Sequence, residues 1–237
     1  MTRLSVNINK VALLRNSRGG NVPDVLQFAK DCEKFGAQGI TVHPRPDERH
    51  ITRKDVYILK EHVATELNIE GYPSDNFLAM IEEVKPHQCT LVPDRPEQLT
   101  SDHGWDCVQH KNFLTNIIKR LHNCGVRVSL FIDPDIHQIT AAKETGTDRI
   151  EFYTGPYAKQ YPLDKKSAIE PYQIAAEICR ELNLGMNAGH DLNLHNLKYL
   201  IENIPDILEV SIGHALISDC LYLGLENTIQ LYLRQLN

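Results

Sequence analysis

Glycine recurs where a helical pattern stops and a β-branched run begins: Phe35-Gly36-Ala37, Cys124-Gly125-Val126, Thr145-Gly146-Thr147 and Leu184-Gly185. Glycine tolerates the left-handed backbone that ends a helix, so each site punctuates one βα unit. Eight short runs read as strands: Leu4–Asn9, Gly39–His43, Leu67–Gly71, Gln88–Val92, Val126–Asp133, Arg149–Thr154, Leu184–Ala188 and Ile207–Gly213. Their ends recur about every 29 residues, close to the ~30 that one βαβ unit needs. Eight near-equal units with right-handed crossovers predict a closed (β/α)8 TIM barrel with extra helices. The competing open, doubly wound sheet usually carries G-x-G-x-x-G after its first strand, and that pattern is absent there.

Helical periodicity fills the gaps between strands. Val22–Phe35 follows the loop Asn16–Gly20, with Pro23 early, where proline is tolerated. Thr52-x-x-Asp55 resembles a capping box, and Ser74 can cap the helix carrying Phe77, Met80, Ile81 and Val84. Two connections are long and polar, Pro93–Asp106 and Gly155–Ser167; such loops often serve as lids or binding loops or hold an extra helix. Two more helical patterns, His214–Leu223 and Glu226–Leu236, hinge at Gly224. No linker divides the 237 residues, so one barrel domain spanning 1–237 is expected. A formal charge of −6 with no long basic run argues against nucleic acid and anionic membrane as partners. The apolar runs are far short of the ~20 residues a membrane span needs. The N-terminus has no apolar signal region and the six cysteines show no C-x-x-C, which fits reduced thiols in the cytoplasm.

Strand ends of a barrel converge on one mouth. Here they are polar: Asn7, Asn9, His43, Glu70, Asp133, Asn187, His190, Gly213 and His214. One polar residue of this kind is ordinary rim chemistry. His43, Glu70 and His190 on three different strands are a set suited to several proton transfers. Histidine titrates near neutrality, and desolvation at the end of an apolar strand raises a carboxyl such as Glu70 toward the working pH.

Anion sites are also legible. Gly189-His190-Asp191 and Gly213-His214-Ala215 follow the last two strands, where barrels often bind phosphate on backbone N–H groups; glycine before a helix is also plain punctuation. His43-Pro44-Arg45-Pro46-Asp47-Glu48-Arg49-His50 places Arg45, Arg49 and His50 in a stiff loop at the mouth, and Arg15 and Arg18 form a third cationic set. Two anion sites imply a doubly phosphorylated substrate or two phosphorylated substrates. Zinc barrels of the hydrolase type show H-x-H on strand 1, where this chain has Asn7-Ile8-Asn9, so no metal is expected. Lys10 is the one lysine near a strand end that a Schiff base would need. His87, His103, His110, His122, His137 and His195 fall on helices or loops and are expected at the surface.

Ser5–Asn9, Leu14–Gly19, Gly39–Ile51, Val128–Asp133 and Asn187–His190 resemble, nearly end to end, the pyridoxine 5′-phosphate synthase family of vitamin B6 biosynthesis. The block after strand 2 is the longest and most specific. The resemblance implies a (β/α)8 barrel, often an octamer built from dimers, with no metal or organic cofactor. It implies condensation of 3-amino-2-oxopropyl phosphate with 1-deoxy-D-xylulose 5-phosphate to pyridoxine 5′-phosphate, inorganic phosphate and water. By the family pattern His43 and Glu70 are acid–base residues and His190 is a proton donor. Asn7, Arg18, Asp191, Gly213 and His214 hold the amino-ketone phosphate; Asn9, Lys10, Arg45, His50 and Thr100 hold the deoxyxylulose phosphate. Two departures stand out: Asn9-Lys10 where many relatives carry Asp-His, and Asp191 where a glycine is common. A phosphosugar isomerase or epimerase, or a non-catalytic phosphometabolite-binding protein, is the alternative reading of the same barrel.

Overall fold

The computed structural model describes residues 1–94, 98 and 100–236. Eight parallel strands close in sequence order, β1 (Arg3–Asn7), β2 (Gly39–Val42), β3 (Glu66–Gly71), β4 (Gln88–Leu91), β5 (Arg127–Ile132), β6 (Arg149–Tyr153), β7 (Gly185–Gly189) and β8 (Ile207–Ile212), with β8 pairing back onto β1. The helices in chain order are α1 (Asn9–Asn16), α2 (Val25–Lys34), α3 (Arg53–His62), α4 (Asp75–Val84), α5 (Lys111–His122), α6 (Ile136–Glu144), α7 (Gly155–Gln160), α8 (Lys165–Glu181), α9 (Leu197–Asn203), α10 (His214–Leu223) and α11 (Leu225–Gln235). The expected barrel with extra helices is the observed one.

Local chemistry sets the helix starts. Thr52 and Asp55 form a reciprocal capping box at α3, and Ser74 caps α4 through the Phe77 N–H. Asp24 caps α2, so Pro23 lies before that helix rather than inside it. Gly36, Gly125 and Gly146 adopt the left-handed backbone expected of them; before β7 that position is taken by Asn183 and Gly185 opens the strand. One expectation is corrected. The first strand stops at Asn7 because Asn9 begins α1, a helix with Val11, Ala12 and Arg15 inward. The long connection over 155–167 holds an extra helix, one of the readings given for it: Gly155–Gln160 forms α7, and α8 begins at Lys165.

Side chains alternate across each strand. Leu4, Val6, Ile40, Val42, Leu67, Ile69, Val128, Leu130, Ile150 and Phe152 are fully buried between barrel and helices, each contributing about 1.5–3 kcal/mol of hydrophobic stabilisation. The opposite face, which fills the barrel, is polar. Ser5 and Thr41 share a hydrogen bond of 2.7 Å, Asn68 reaches Thr41 at 3.4 Å, and Thr90 donates to Asn68 at 3.1 Å. At the N-terminal end of the barrel Glu66 is paired with Arg3 at 2.8 Å and with Arg127, while Arg149 binds Asn187 at 3.2 Å. Asn187 therefore belongs to this end, not to the mouth. The last helix closes the molecule: Gln230 donates to the Phe35 carbonyl at 2.7 Å, tying α11 to the end of α2. The six cysteines are free.

Candidate active site

His43 and Glu70 meet at the C-terminal end of the barrel. His43 follows β2 and Glu70 lies on β3, with Nδ1 3.9 Å from Oε2 and both side chains nearly buried. Asn7 from β1 donates to the same Oε2 at 3.4 Å. Asn9, one turn on, accepts from the His43 backbone N–H at 2.9 Å, and its own N–H is held by Asn7 at 3.1 Å. The two asparagines thus fix where the β2 chain end turns.

Burial, then the neighbouring Arg45, His50 and Arg49, holds the His43 imidazole well below its ordinary pKa. It is neutral at physiological pH and able to accept a proton. Burial, then the Asp94 carboxylate, pushes Glu70 up to about 8, against an opposing pull from Arg45. Glu70 therefore keeps its proton at neutrality. A neutral base and a neutral acid side by side are a pair whose surroundings have separated their roles.

Across the mouth, His190 and Asp191 both sit in the left-handed region, with φ of 83° and 59°, a costly arrangement for non-glycine residues. The structure holds it from several directions. Thr154 donates to the Gly189 carbonyl at 2.8 Å and the His190 carbonyl at 2.5 Å, and Asn196 donates to the Asp191 carbonyl at 3.2 Å. The His190 ring meets Tyr153 edge-on at 5.1 Å. Its Nε2 is 2.9 Å from the Thr100 hydroxyl, and its Nδ1 is 3.0 Å from Asp191 Oδ2. The second contact is close but not aligned as a hydrogen bond, so it acts as an ion pair when the ring is protonated. That neighbouring imidazole holds Asp191 below the usual carboxylate range. The extra carboxylate thus turns to the histidine instead of standing in an anion site.

The binding residues fall into two groups. Asn7, Asp191, Gly213 and His214 come from β1 and the ends of β7 and β8. A side chain at Gly213 would press on Asn7 at 3.1 Å, and His214 opens α10 within electrostatic reach of Asp191. Lys10, Arg45 and His50 gather at the end of β2. Burial and the nearby Arg45, Arg49 and Lys10 charges lower His50 to about 4. Its Nδ1 accepts from the Ile51 N–H at 2.9 Å, so the neutral ring has its other nitrogen as a donor. The expected cationic trio is thereby corrected to two arginines beside a neutral imidazole. Arg15 is also corrected: it grips Asp55 at 2.6 and 2.8 Å and joins α1 to α3. Arg18 lies exposed beyond the end of α1, and its side chain has no hydrogen bond or ion pair among the described residues. Asp133 accepts from the Gly104 N–H at 2.9 Å and so anchors the connection after β4. His87, His103, His122, His137 and His195 are exposed, as expected, and His110 is half-buried.

Two carboxyls escaped the sequence reading. Glu151 on β6 is buried, takes a hydrogen bond from Thr90 at 3.4 Å and lies against Gly189, where a β-carbon would come within 2.1 Å of it. Burial, then Glu70 and Glu209, pushes it well above the ordinary carboxyl range. Its place between Ile150 and Phe152, both facing the helices, was the available signal. Asp94, after β4, is buried and paired with Arg45 at 2.5 Å; it was hidden in a connection taken as loop. Beside these residues lies a cavity of about 880 Å³, walled in part by His43, Arg45, Tyr72, Asp94 and Trp105. Among the described residues, no three His, Cys, Asp or Glu side chains are grouped to hold a metal ion.

Comparison with known proteins bears on the fold and the family. The barrel resembles 3-keto-L-gulonate-6-phosphate decarboxylase from Vibrio cholerae at TM-score 0.67 and 11% identity, covering 99% of this chain and 97% of that one. It also resembles phosphoribosylanthranilate isomerase from Thermotoga maritima at TM-score 0.60 and 12% identity, over 100% and 98%. At such identities the likeness concerns the fold. In sequence the chain is 59% identical over 236 residues to a pyridoxine 5′-phosphate synthase of Porphyromonas gingivalis, covering 100% of this chain and 99% of that protein. It is 58% identical to that of Cytophaga hutchinsonii and 56% to that of Flavobacterium johnsoniae, each over 236 residues. The family model described as pyridoxal phosphate biosynthesis protein PdxJ matches residues 4–237, and this chain belongs to that family.

Proposed function

We propose that the chain is a pyridoxine 5′-phosphate synthase that condenses 3-amino-2-oxopropyl phosphate with 1-deoxy-D-xylulose 5-phosphate, releasing pyridoxine 5′-phosphate, inorganic phosphate and water. The observation that carries this reading is the mouth itself, where neutral His43 lies beside protonated Glu70 and opposite His190. The amine of one substrate adds to the ketone of the other, and loss of water gives an imine. Glu70 gives its proton to the departing oxygen, and His43 takes one from the amine or the adjacent carbon. Loss of phosphate from the amino-ketone half, addition of water, ring closure and two further dehydrations each need a proton moved again. His190, held between Thr100 and Asp191, serves as the donor on the far side. Neutral Glu151 can hydrogen-bond an oxygen on which charge develops.

The amino-ketone phosphate is assigned to Asn7, Arg18, Asp191, Gly213 and His214, with the Asp191 carboxylate acting through His190 and its backbone contributing to the anion site. The sugar phosphate is assigned to Asn9, Lys10, Arg45, His50 and Thr100. Thr100, already on His190, links the connection after β4 to the β7 end. Asn9 spends one lone pair of its oxygen on the His43 N–H and has its amide nitrogen to donate to substrate; Lys10 supplies a fixed cation near His50. Assembly as an octamer built from four dimers belongs to the same reading, supported by exposed apolar residues on α10, among them Tyr222 at 88%. A cytoplasmic site of action fits the absence, among the described residues, of a helix long and apolar enough to cross a membrane.

The test is to supply both substrates and follow the near-ultraviolet absorbance of a pyridine ring. The ring is expected only when both are present. Turnover of the sugar phosphate alone identifies an isomerase or epimerase instead, and binding of both without turnover identifies a phosphometabolite-binding protein.

A further inference from the structure

Arg45 and Asp94 come from the ends of β2 and β4, on either side of the strand that carries Glu70. Their side chains are 5% and 2% exposed, yet they touch through one nitrogen and one oxygen only, Nη2 to Oδ2 at 2.5 Å. An arginine–carboxylate pair kept for stability tends to be bidentate, as Arg15 and Asp55 are here. The single contact leaves the other guanidinium nitrogens of Arg45 without a hydrogen-bond partner among the described residues. On the Asp94 side, Oδ2 also accepts from the Ser101 hydroxyl at 2.8 Å, while Oδ1 is buried with no partner among the described residues. A bare carboxylate oxygen in the interior is costly. The pair also stands on the wall of the 880 Å³ cavity.

We propose that Asp94 is a positioning residue for the sugar-phosphate half of the site. It tethers Arg45 by one corner, aims the remaining edge of the guanidinium at the phosphate, and through Ser101 ties that aim to the connection after β4. An untethered Arg45 would be free to turn toward the Glu70 carboxyl, whose proton it already disfavours. Asp94 holds the cation to the task of binding phosphate. The bare Oδ1 suits a substrate that carries hydroxyl donors beside its phosphate. 1-Deoxy-D-xylulose 5-phosphate carries two such hydroxyls, and 3-amino-2-oxopropyl phosphate has none. Asp94 therefore discriminates between the two substrates as well as orienting one of them. This rests on the synthase reading given above.

The experiment measures KM for each substrate with the other saturating, in wild type, Asp94→Asn, Asp94→Glu and Ser101→Ala. Asp94→Asn is expected to raise KM for the sugar phosphate ~10-fold or more and to leave that for the amino-ketone phosphate within ~2-fold, the separation given by loss of one charge-assisted contact. Asp94→Glu is expected to recover most of the loss, and Ser101→Ala to raise the sugar KM alone by ~3-fold. Equal changes in both KM values, or a fall in kcat with neither KM moved, overturns the proposal. If Asp94→Asn does not fold, Ser101→Ala decides by the same split. Failure of wild type to form the pyridine ring defeats the synthase reading; an active wild type with no split in the variants defeats only the role of Asp94.

Discussion

Carboxyl groups are buried at both ends of the barrel interior, and the two ends treat them differently. At the N-terminal end Glu66 is ion-paired with Arg3 and Arg127, and Glu209 stands among Arg149, Arg127 and Arg3 with Gln88 Nε2 3.4 Å from its carboxyl. At the mouth the hydrogen-bond donors among the described residues are neutral, Asn7 and Ser211 to Glu70 and Thr90 to Glu151. Arg45 stands near Glu70 but is tethered to Asp94. Burial raises Glu209 as well, but the charges of Arg149, Arg127 and Arg3 oppose that rise and favour the ionised, structural form. A buried carboxyl without such cations keeps its proton and becomes an acid. The chemistry is set by which end of the strand the arginines occupy.

The largest expected effect comes from breaking the compensated end. Arg149→Leu strips a counter-charge from Glu209 and is expected to cost about 3 kcal/mol of folding stability, the scale for leaving a buried charge short of its partner. Denaturant unfolding measures it. Glu70→Gln is expected to do the reverse, leaving the fold intact while cutting turnover ~100-fold or more, about 2.7 kcal/mol of barrier. His43→Ala is expected to fall in the same range. Near-normal turnover in either removes these groups from the reaction.

The next effect is in pH. Glu70 rises from an ordinary value of 4.5 to about 8 on folding. Between those values the folded chain holds a proton that the unfolded chain has released. The group's contribution is therefore fully present below about 4.5 and lost as pH rises through about 8. Wild type is expected to lose stability over that interval relative to Glu70→Gln, and kcat/KM is expected to fall on the alkaline side as the acid is spent. A parallel pair of stability profiles would mean that the mouth carboxyl is already ionised. The smallest effect tests the start of α3, just past the mouth loop. Thr52→Ala removes half of the capping box and is expected to cost about 1 kcal/mol of folding stability, read by denaturant unfolding.

The barrel was legible because its signals are local and repeated: glycine stops, alternating strands, and caps such as Thr52 and Ser74. His43, Glu70 and His190 were legible because polar groups at strand ends are out of place in an apolar wall. What was hidden depends on pairing across the sequence. Arg15 reads like Arg18 until Asp55, forty positions away, is seen to hold it. His50 reads as a cation until the fold buries it and brings Lys10, forty positions away, close to it alongside Arg45 and Arg49. Helix α1 was missed because its inward face ends in an arginine whose partner lies on another helix. Glu151 and Glu209 look alike in sequence, and only closure of the barrel shows which has arginines for neighbours.

Infrared difference spectroscopy at neutral pH, wild type against Glu70→Gln, addresses the proton at the mouth most directly. A protonated carboxyl band present in wild type and missing from the variant is the expected result. A difference spectrum showing instead the loss of an ionised carboxylate would mean that Glu70 is charged in the resting protein and that the contrast between the two ends of the barrel does not hold.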